Sequence, residues 1–600
     1  MANFFAELKR RHIYRVAVTY VLVAWVLLQL FNNLTPVMKL PDWAGTLVLV
    51  LLVGGFPIAL LFAWVRELPE TNLSPQRATI TDWALIGVLL VVVGLISYQE
   101  FASVPATTIR QEAGVVGARQ TAAAPAGISV AVLPFLNLSS DKEQEFFSDG
   151  ITEEITSALA KIPDLTVIGR TSAFQFKGQN RDLRAIGQAL SAGYLIEGSV
   201  RKAGDRVRIT AQLIRVESGA HLWTENYDRQ LTDIFAIQEN IAQAIAGALR
   251  LPLGLKQGES LVSNRTVDTE TYEQFLRAKS YSRIGGDDQA ISILEPLIAR
   301  NPGFAPAWAL LANAYNSRTR RSPAAQSGAP EEAARVLASY PKQEAAAQRA
   351  IELDPRDPDG YSALGLLDLR RGKLVAAEEL YSKALMLDPN NPRALLLHAN
   401  LLLGTGHLKE GLMEAQRSLS VEPFDTTAQF NASVHYWMNG ENDAAIALLG
   451  ALPVNFFERA PYLAHIYAVA GRYRDAVDVL NGTPIGVFLP GTVEAAITVL
   501  RTAPARATSP QSLARLGWLG FAYLSVGAPD RVLEFYEAAA QGGYAVAVYY
   551  AALWHPAYAV VRKTERFRTF VRNAGLVEYW RAKGWPDLCH PVGADDFVCE

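Results

Sequence analysis

Cysteine is nearly absent from this 600-residue chain, and its two residues exclude a disulfide-rich scaffold and any four-cysteine zinc or iron–sulfur centre. Charge of one sign is lacking too. Lys and Arg total 56 against 59 Asp and Glu, a net charge of −3, so the basic excess of a nucleic-acid binder is missing. Histidine is sparse, at 8 residues, and no HExxH pair occurs. No GxxxxGK phosphate loop followed by Ser or Thr is present. Gly404-Thr405-Gly406 falls at a turn between helices. Gly360-Tyr361-Ser362 begins like a nucleophile elbow, but Gly365 comes one residue late. Asp354, Asp357 and Asp359 lack calcium-loop spacing. No catalytic constellation emerges, so the chain is expected to be no enzyme and to carry no cofactor and no metal.

What is abundant is apolar surface: half the residues are hydrophobic and only 19% are charged. That excludes disorder as the dominant state. The length implies several domains. Val16–Met38, Trp43–Val65 and Trp83–Gln99 contain no charged residue. Roughly 20 helical residues cross a bilayer core, so these runs predict three transmembrane α-helices within 16–100. Trp25, Trp43, Trp64, Trp83 and Tyr98 stand in or near them, several at the ends where interfacial rings belong. Lys9, Arg10, Arg11 and Arg15 make 1–15 a basic inner tail. The expected placement is a multi-pass bacterial inner-membrane protein, N-terminus cytoplasmic and bulk periplasmic.

Residues 101–127, rich in Ala, Thr, Gly and Pro, read as a flexible linker. Residues 128–250 then alternate strand and helix signals. Ile128–Leu138, Leu165–Phe176, Tyr194–Ala203, Val207–Val216 and Ala220–Tyr227 read as strands; Phe146–Ile162, Arg181–Leu190 and Ile234–Leu249 read as helices. A compact α+β domain is expected. SVAVLPFLNLSSDKEQEFFSDGITEEITSAL and YLIEGSVRKAGDRVRITAQLIRVESGAHLWTENYDR resemble the TolB amino-terminal-like (FlgO-like) domain. The resemblance implies a non-catalytic interaction or sensory module of bacterial envelope proteins, often followed by helical repeats. Arg201, Lys202, Arg206, Arg208 and Arg215 form a basic cluster, a solvated strand face or a site for an anion. Trp223 and Tyr227 read as packing residues.

From Thr271 a period appears. Asp354-Pro355, Asp388-Pro389 and Glu422-Pro423 recur at spacing 34, and so do Gly372, Gly406 and Gly440. Helix–turn–helix units follow, with Gly in the inner turn and Pro beyond the second helix. The pattern resembles the tetratricopeptide repeat (TPR), best in Pro358–Asn391 with Tyr361, Leu364, Gly365, Ala377, Tyr381, Ala384 and Pro389. Repeats are expected over 268–482, broken by an insertion at Arg318–Tyr340, with degenerate TPR-like helices over 483–575. The predicted fold is therefore multidomain: three transmembrane α-helices, a compact α+β domain and an all-α TPR solenoid.

A stacked solenoid has a concave face lined by its first helices. Lys279, Asn313, Leu366 and Asn400 fall at one inward position, and Asn316, Arg370 and Trp437 one turn on. All of these but Leu366 are the six candidate peptide-groove residues, with amides for a peptide backbone and Lys and Arg for a carboxylate. The Lys and Asn positions needed to clamp a terminal carboxylate are incomplete. In the tail 576–600, Cys589 and Cys599 suit a small-loop disulfide. The alternative is a metal held by these with His590 and Asp595 or Asp596. The expected function is a non-enzymatic, membrane-anchored scaffold or sensory subunit with protein or peptide partners and no nucleic acid. Two alternatives stand beside it: a transmembrane signalling regulator, and an enzyme with an unrecognised site in the α+β domain.

Overall fold

The structure, a computed structural model, describes residues 20, 52, 128–141, 144–179, 181–253, 261–262, 268–320, 330–483, 488–541, 547–593 and 596–600. The chain divides into two compact units, Met1–Thr108 and Ile109–Glu600. In the first, the Tyr20 hydroxyl donates to the Leu52 carbonyl at 2.8 Å.

The expectation of three transmembrane helices is corrected. Among the described residues no helix is long and apolar enough to cross a membrane. The longest, Pro330–Leu353, has 24 residues but carries Glu331, Glu332, Arg335, Lys342, Glu344, Arg349 and Glu352. The inner-membrane placement with a periplasmic bulk loses its structural basis with the spans. The three runs themselves, Tyr20 and Leu52 apart, lie outside the described residues, as does the linker.

The second unit opens with β1 (Ile128–Val132), β2 (Leu136–Asn137), α1 (Glu145–Leu159), β3 (Leu165–Ile168), α2 (Arg170–Ala173), α3 (Leu183–Ala189), β4 (Tyr194–Ala203), β5 (Arg206–Arg215), β6 (His221–Gln230) and α4 (Ile234–Leu249). The sheet order is β3-β1-β4-β5-β6, with β2 also on β4. β1 runs parallel to β3 and β4, and β4-β5-β6 is an antiparallel meander. Alternation along β1 splits the core between two faces. Val130 and Val132 pack toward α1 and α4 residues such as Ile151 and Ile241, while Ala131 joins Ile186 and Leu190 on the other side.

The first core face continues without a break into the repeats. Tyr272 meets Phe147 and Phe235 edge-on, at centroid distances of 6.5 and 5.3 Å. At Gly150 a Cβ would stand 2.6 Å from Leu276 Cδ2, so this glycine sets how closely α1 approaches the first repeat helix.

The repeats pair α5 (Thr269–Arg283) with α6 (Asp287–Arg300), α7 (Ala305–Arg320) with α8 (Pro330–Leu353), α9 (Pro358–Arg370) with α10 (Leu374–Leu387), α11 (Pro392–Gly404) with α12 (Leu408–Val421), α13 (Thr426–Met438) with α14 (Asn442–Ala451), and α15 (Arg459–Val469) with α16 (Tyr473–Asn481). The sequence punctuation has local causes. Asp357, Asn391 and Asp425 accept from backbone N–H groups at the starts of α9, α11 and α13. Gly372, Gly406 and Gly440 take φ of 75°, 88° and 84°, the left-handed geometry of a helix stop. A Cβ at Gly365 would stand 2.7 Å from the Tyr381 ring, so the 16-residue gap between them records a close helix pair. The expected insertion Arg318–Tyr340 differs from the structure: α8 is helical from Pro330, and residues 321–329 lie outside the described residues.

After α17 (Thr492–Thr502) the pattern loosens into 3-10 segments, including Gly517–Val526 and Ala547–Trp554, with α18 (Leu533–Gln541), α19 (Ala559–Arg562), α20 (Glu565–Asn573) and α21 (Leu576–Lys583). A terminal hairpin, β7 (Cys589–Val592) and β8 (Asp596–Cys599), ends the chain, and its two cysteines are joined in a disulfide. This segment folds back on the solenoid. Trp554 Nε1 donates to the Gly404 carbonyl at 2.9 Å and Trp580 Nε1 to the Thr405 carbonyl at 2.8 Å.

Candidate functional site

The first helices α7, α9, α11, α13 and α15 line a concave face that holds a cavity of about 440 Å³. Asn316 and Ser317 come from α7, Leu366 and Arg370 from α9, and Arg393 and Asn400 from α11. Ser418 and Glu422 close one side, Thr171 of the α+β domain roofs it, and Trp518 and Phe535 bound the later end.

Three of the sequence-derived groove residues meet here: Asn316, Arg370 and Asn400. Asn316 and Arg370 bind each other. The guanidinium donates to Asn316 Oδ1 at 3.0 Å and to its carbonyl at 3.3 Å. Asn400 is 6% exposed, and its Oδ1 has no hydrogen-bond partner. The Ser418 Oγ is likewise buried and unbonded. Buried polar atoms of this kind call for a partner, so the wall is prepared for polar contact.

The other three residues are elsewhere. Lys279 turns to the α+β domain, with Nζ 3.1 Å from Glu153 Oε1 and 2.7 Å from Glu154 Oε1. Trp437 is 1% exposed and packs edge-on to His465 at 4.6 Å, so it belongs to the core. Asn313 is half-buried, its Oδ1 is without a hydrogen-bond partner, and it does not line the cavity. Inward offsets place side chains correctly only where the groove is open. Here a second domain covers the early repeats, and an aromatic cluster fills behind α13.

The cover is held by charge. Burial alone would raise the Glu153 carboxyl, but Lys279, Arg283 and Arg170 around it outweigh that and hold it below the usual carboxylate range. Arg283 lies 2.8 Å and Arg170 3.1 Å from Glu153 Oε2. Burial pushes Asp357 and Asp388 the other way, each up to about 6.

A second fastening was not foreseen. Asp354, Asp388 and Glu422 hold equivalent repeat positions and are all buried. The two aspartates accept from the next turn's backbone, at Arg356 N and Asn390 N. Glutamate is one methylene longer and reaches out of its repeat. Pro423 restricts the residue before it to extended backbone, and Glu422 has φ −125°. Its carboxylate accepts from Thr171 N at 3.1 Å, Ser172 N at 2.8 Å and Ser172 Oγ at 2.8 Å. Gly169 N donates to the Val421 carbonyl at 2.7 Å beside it. A Cβ at Gly169 would stand 2.1 Å from Glu422 Oε1, so glycine is required for the carboxylate to enter. Burial pushes the Glu422 carboxyl up to about 7, against the donors that favour its charged form. The Glu-Pro pair was visible as punctuation; the extra methylene at that position was the overlooked signal.

The hairpin cluster is largely neutralised. Arg206 and Arg208 bind Asp228 at 2.7 and 2.5 Å and hold its carboxyl down to about 2. Lys202 pairs with Glu273 at 2.8 Å, and Arg201 donates to the Leu138 carbonyl. Tyr227 is buried and Trp223 half-buried. In the tail the disulfide engages both sulfurs, so neither is available as a metal thiolate.

Against known families, residues 340–392 match the tetratricopeptide repeat. A protein of Rhizobium meliloti (strain 1021), provisionally designated adenylate cyclase 3, is 37% identical over 254 residues. The match takes in 40% of each chain, so this chain spans about two fifths of that relative's length. Among solved structures, PilW, a type IV pilus biogenesis factor, covers 36% of this chain and 92% of its own, at 16% identity and a TM-score of 0.28. TolB from Acinetobacter baumannii covers 20% of this chain and 28% of its own, at 18% identity and a TM-score of 0.16. Likenesses at these scores carry no inference, and the TolB-like reading of 128–250 gains nothing from them. The chain carries tetratricopeptide repeats, and residues 340–392 are the segment that matches their family.

Proposed function

We propose that this chain is a non-enzymatic protein-interaction scaffold that receives a short segment of a partner protein in the concave cavity. One observation carries the reading. The cavity lies along the first helices of successive repeats, and Asn400 presents a buried, unbonded Oδ1 within it. An amide there suits an extended peptide, which offers an N–H and a carbonyl at each residue. A volume of about 440 Å³ accommodates a few residues, in the range of specific ligand pockets. The α+β domain shapes one wall through Thr171 and narrows the groove.

Panning a displayed peptide library on the full chain tests this. Selected peptides are expected to bind at least tenfold more weakly to Asn400→Ala while its thermal transition is unchanged. Binding indifferent to Asn400→Ala and to cavity-filling Ser418→Leu would overturn the reading. The relative's designation supplies a separate check on the non-enzymatic claim: cyclic AMP formed from ATP by the purified chain would refute it.

A further inference from the structure

The sheet of the α+β domain ends differently at its two edges. At the β3 edge the repeats close it: Gly169, just past β3, donates its N–H to the Val421 carbonyl. At the other edge no described strand lies beyond β6. β6 runs for 10 residues and contains neither proline nor lysine, which commonly guard an open edge. Its bulge, opposite Leu213 and Ile214, falls before Thr224. The pleat fixes which backbone groups are open. Leu231 N donates to the Asp205 carbonyl at 2.7 Å, one step beyond the Arg206–Gln230 pair. By the two-residue period Arg229, Tyr227 and Glu225 bond to β5, and Thr224, Asn226, Asp228 and Gln230 turn their N–H and carbonyl groups outward. The Asp228 carbonyl accepts from the neighbouring Arg229 guanidinium at 3.0 Å.

Charge decides what fits along this edge. Glu225 and Arg229 are exposed on one face of β6. Glu225 accepts from its own Tyr227 hydroxyl at 3.0 Å. Asp228, on the opposite face, is engaged by Arg206 and Arg208. Two identical strands pair antiparallel about a two-fold axis, and the residue on the axis faces its own copy. An axis at Glu225, Asp228 or Arg229 sets like charges face to face, which is unfavourable. At Asn226 it sets Glu225 opposite Tyr227 and Arg229 opposite Trp223. At Tyr227 it sets Glu225 of each copy opposite Arg229 of the other, and Asn226 opposite Asp228. Tyr227 is buried in its own core, so its ring leaves the axis clear. The strand is thus charge-complementary to itself in that one register.

We infer that β6 pairs antiparallel with β6 of a second copy of this chain, about a two-fold axis at Tyr227. The two sheets become one. Thr224, Asn226, Asp228 and Gln230 of each copy supply the backbone hydrogen bonds, and the two Glu225–Arg229 pairs set the register. Arg229 releases the Asp228 carbonyl, which then accepts from Asn226 N of the second copy. The assembly carries two repeat arrays. This goes beyond the scaffold reading and does not depend on it.

Sedimentation of the full chain over a concentration series tests this, and a monomer–dimer equilibrium is expected. Glu225→Arg and Arg229→Glu, both at exposed positions, should each weaken it about tenfold or more, because each sets like charges face to face at two places. An equimolar mixture of the two variants should restore it, since each charge then meets its opposite. Register has its own readout. The two native cysteines are bonded to one another, so an introduced thiol has no native thiol to pair with. Thr224 faces Gln230 of the second copy in this register, at about 5.5 Å between Cα atoms, within disulfide reach. Thr224→Cys mixed with Gln230→Cys should oxidise to a covalent dimer, and neither variant should do so alone. A chain that stays monomeric at every concentration would overturn the inference, whether its Asn226 amide exchanges freely or is protected by some other strand. A dimer indifferent to both charge variants, or Thr224→Cys crosslinked to itself, would overturn it as well. Each of these failures leaves the groove reading untouched.

Discussion

Gly169→Ala is the sharpest probe of how the α+β domain is held to the repeats. Gly169 has φ −66°, which alanine adopts freely, so the substitution carries no backbone penalty of its own. Its whole effect comes from a Cβ placed 2.1 Å from Glu422 Oε1 and 2.2 Å from Cδ. The carboxylate must withdraw, and three hydrogen bonds are lost with it. Charge-assisted bonds contribute roughly 1.5–3 kcal/mol each. The desolvation that pushes Glu422 up to about 7 offsets part of that sum. A net loss of about 3 kcal/mol follows, roughly a hundredfold in local opening. Hydrogen exchange at the Thr171 and Ser172 amides reads this directly. Glu422→Ala should lower their protection by a similar factor. In the Glu422→Ala background, Gly169→Ala should be neutral, or slightly stabilising through the unfolded chain. Unchanged protection in Gly169→Ala, or an equal penalty in both backgrounds, would refute the argument. pH supplies a further handle. Glu422 has its pKa raised on folding, from 4.5 to about 7, so its contribution is fully present below 4.5 and fades as pH rises through about 7. Protection factors at Ser172, corrected for intrinsic exchange, should fall between pH 5 and pH 8 and should fall less in Glu422→Gln.

Three further outcomes are expected. Lys279→Met leaves Glu153 and Glu154 short of a cation at a buried site, and should lower stability by about 3 kcal/mol in denaturant titration, whereas a change below 0.5 kcal/mol would mean the pairing is solvated. Gly365→Ala drives a methyl into the Tyr381 ring and should cost roughly 1–3 kcal/mol, lowering the thermal transition; no shift would mean that α9 and α10 separate freely. Replacing Cys589 and Cys599 by serine removes a small closed loop worth about 3 kcal/mol in the chain-entropy model, and alkylation of the unreduced chain should find no free thiol.

The repeats were legible because a periodic constraint writes itself periodically. Each inner turn needs left-handed backbone, so glycine returns at 372, 406 and 440. The meander was legible from alternation: Tyr194–Ala203 coincides with β4, and Val207–Val216 is one residue from β5. Three cavity residues could be placed because repeat offsets fix which side faces in. Lys279 and Trp437 escaped, since an offset cannot say whether that side meets solvent, another domain or an aromatic core. Nor could any period reveal Glu422 and Gly169, which are 253 positions apart and matter only through one another. The three uncharged runs are a different case. They lie outside the described residues, Tyr20 and Leu52 apart, and among the described residues no helix is long and apolar enough to cross a membrane.

The return of Trp554 and Trp580 to the turn at Gly404 and Thr405 alters the mechanics of the stack. An ordinary repeat array behaves like a spring of like coils: each touches only its neighbours, and it frays or stretches one coil at a time. Here the last segment is tied back to a middle coil about 150 residues earlier. The coils between become a closed circuit that resists extension and cannot lose its end member without breaking the tie. That circuit encloses α13 and α15, two of the helices that line the cavity. Pulling the two ends of that circuit apart must break both indole hydrogen bonds, a resistance that a plain array of like coils does not have.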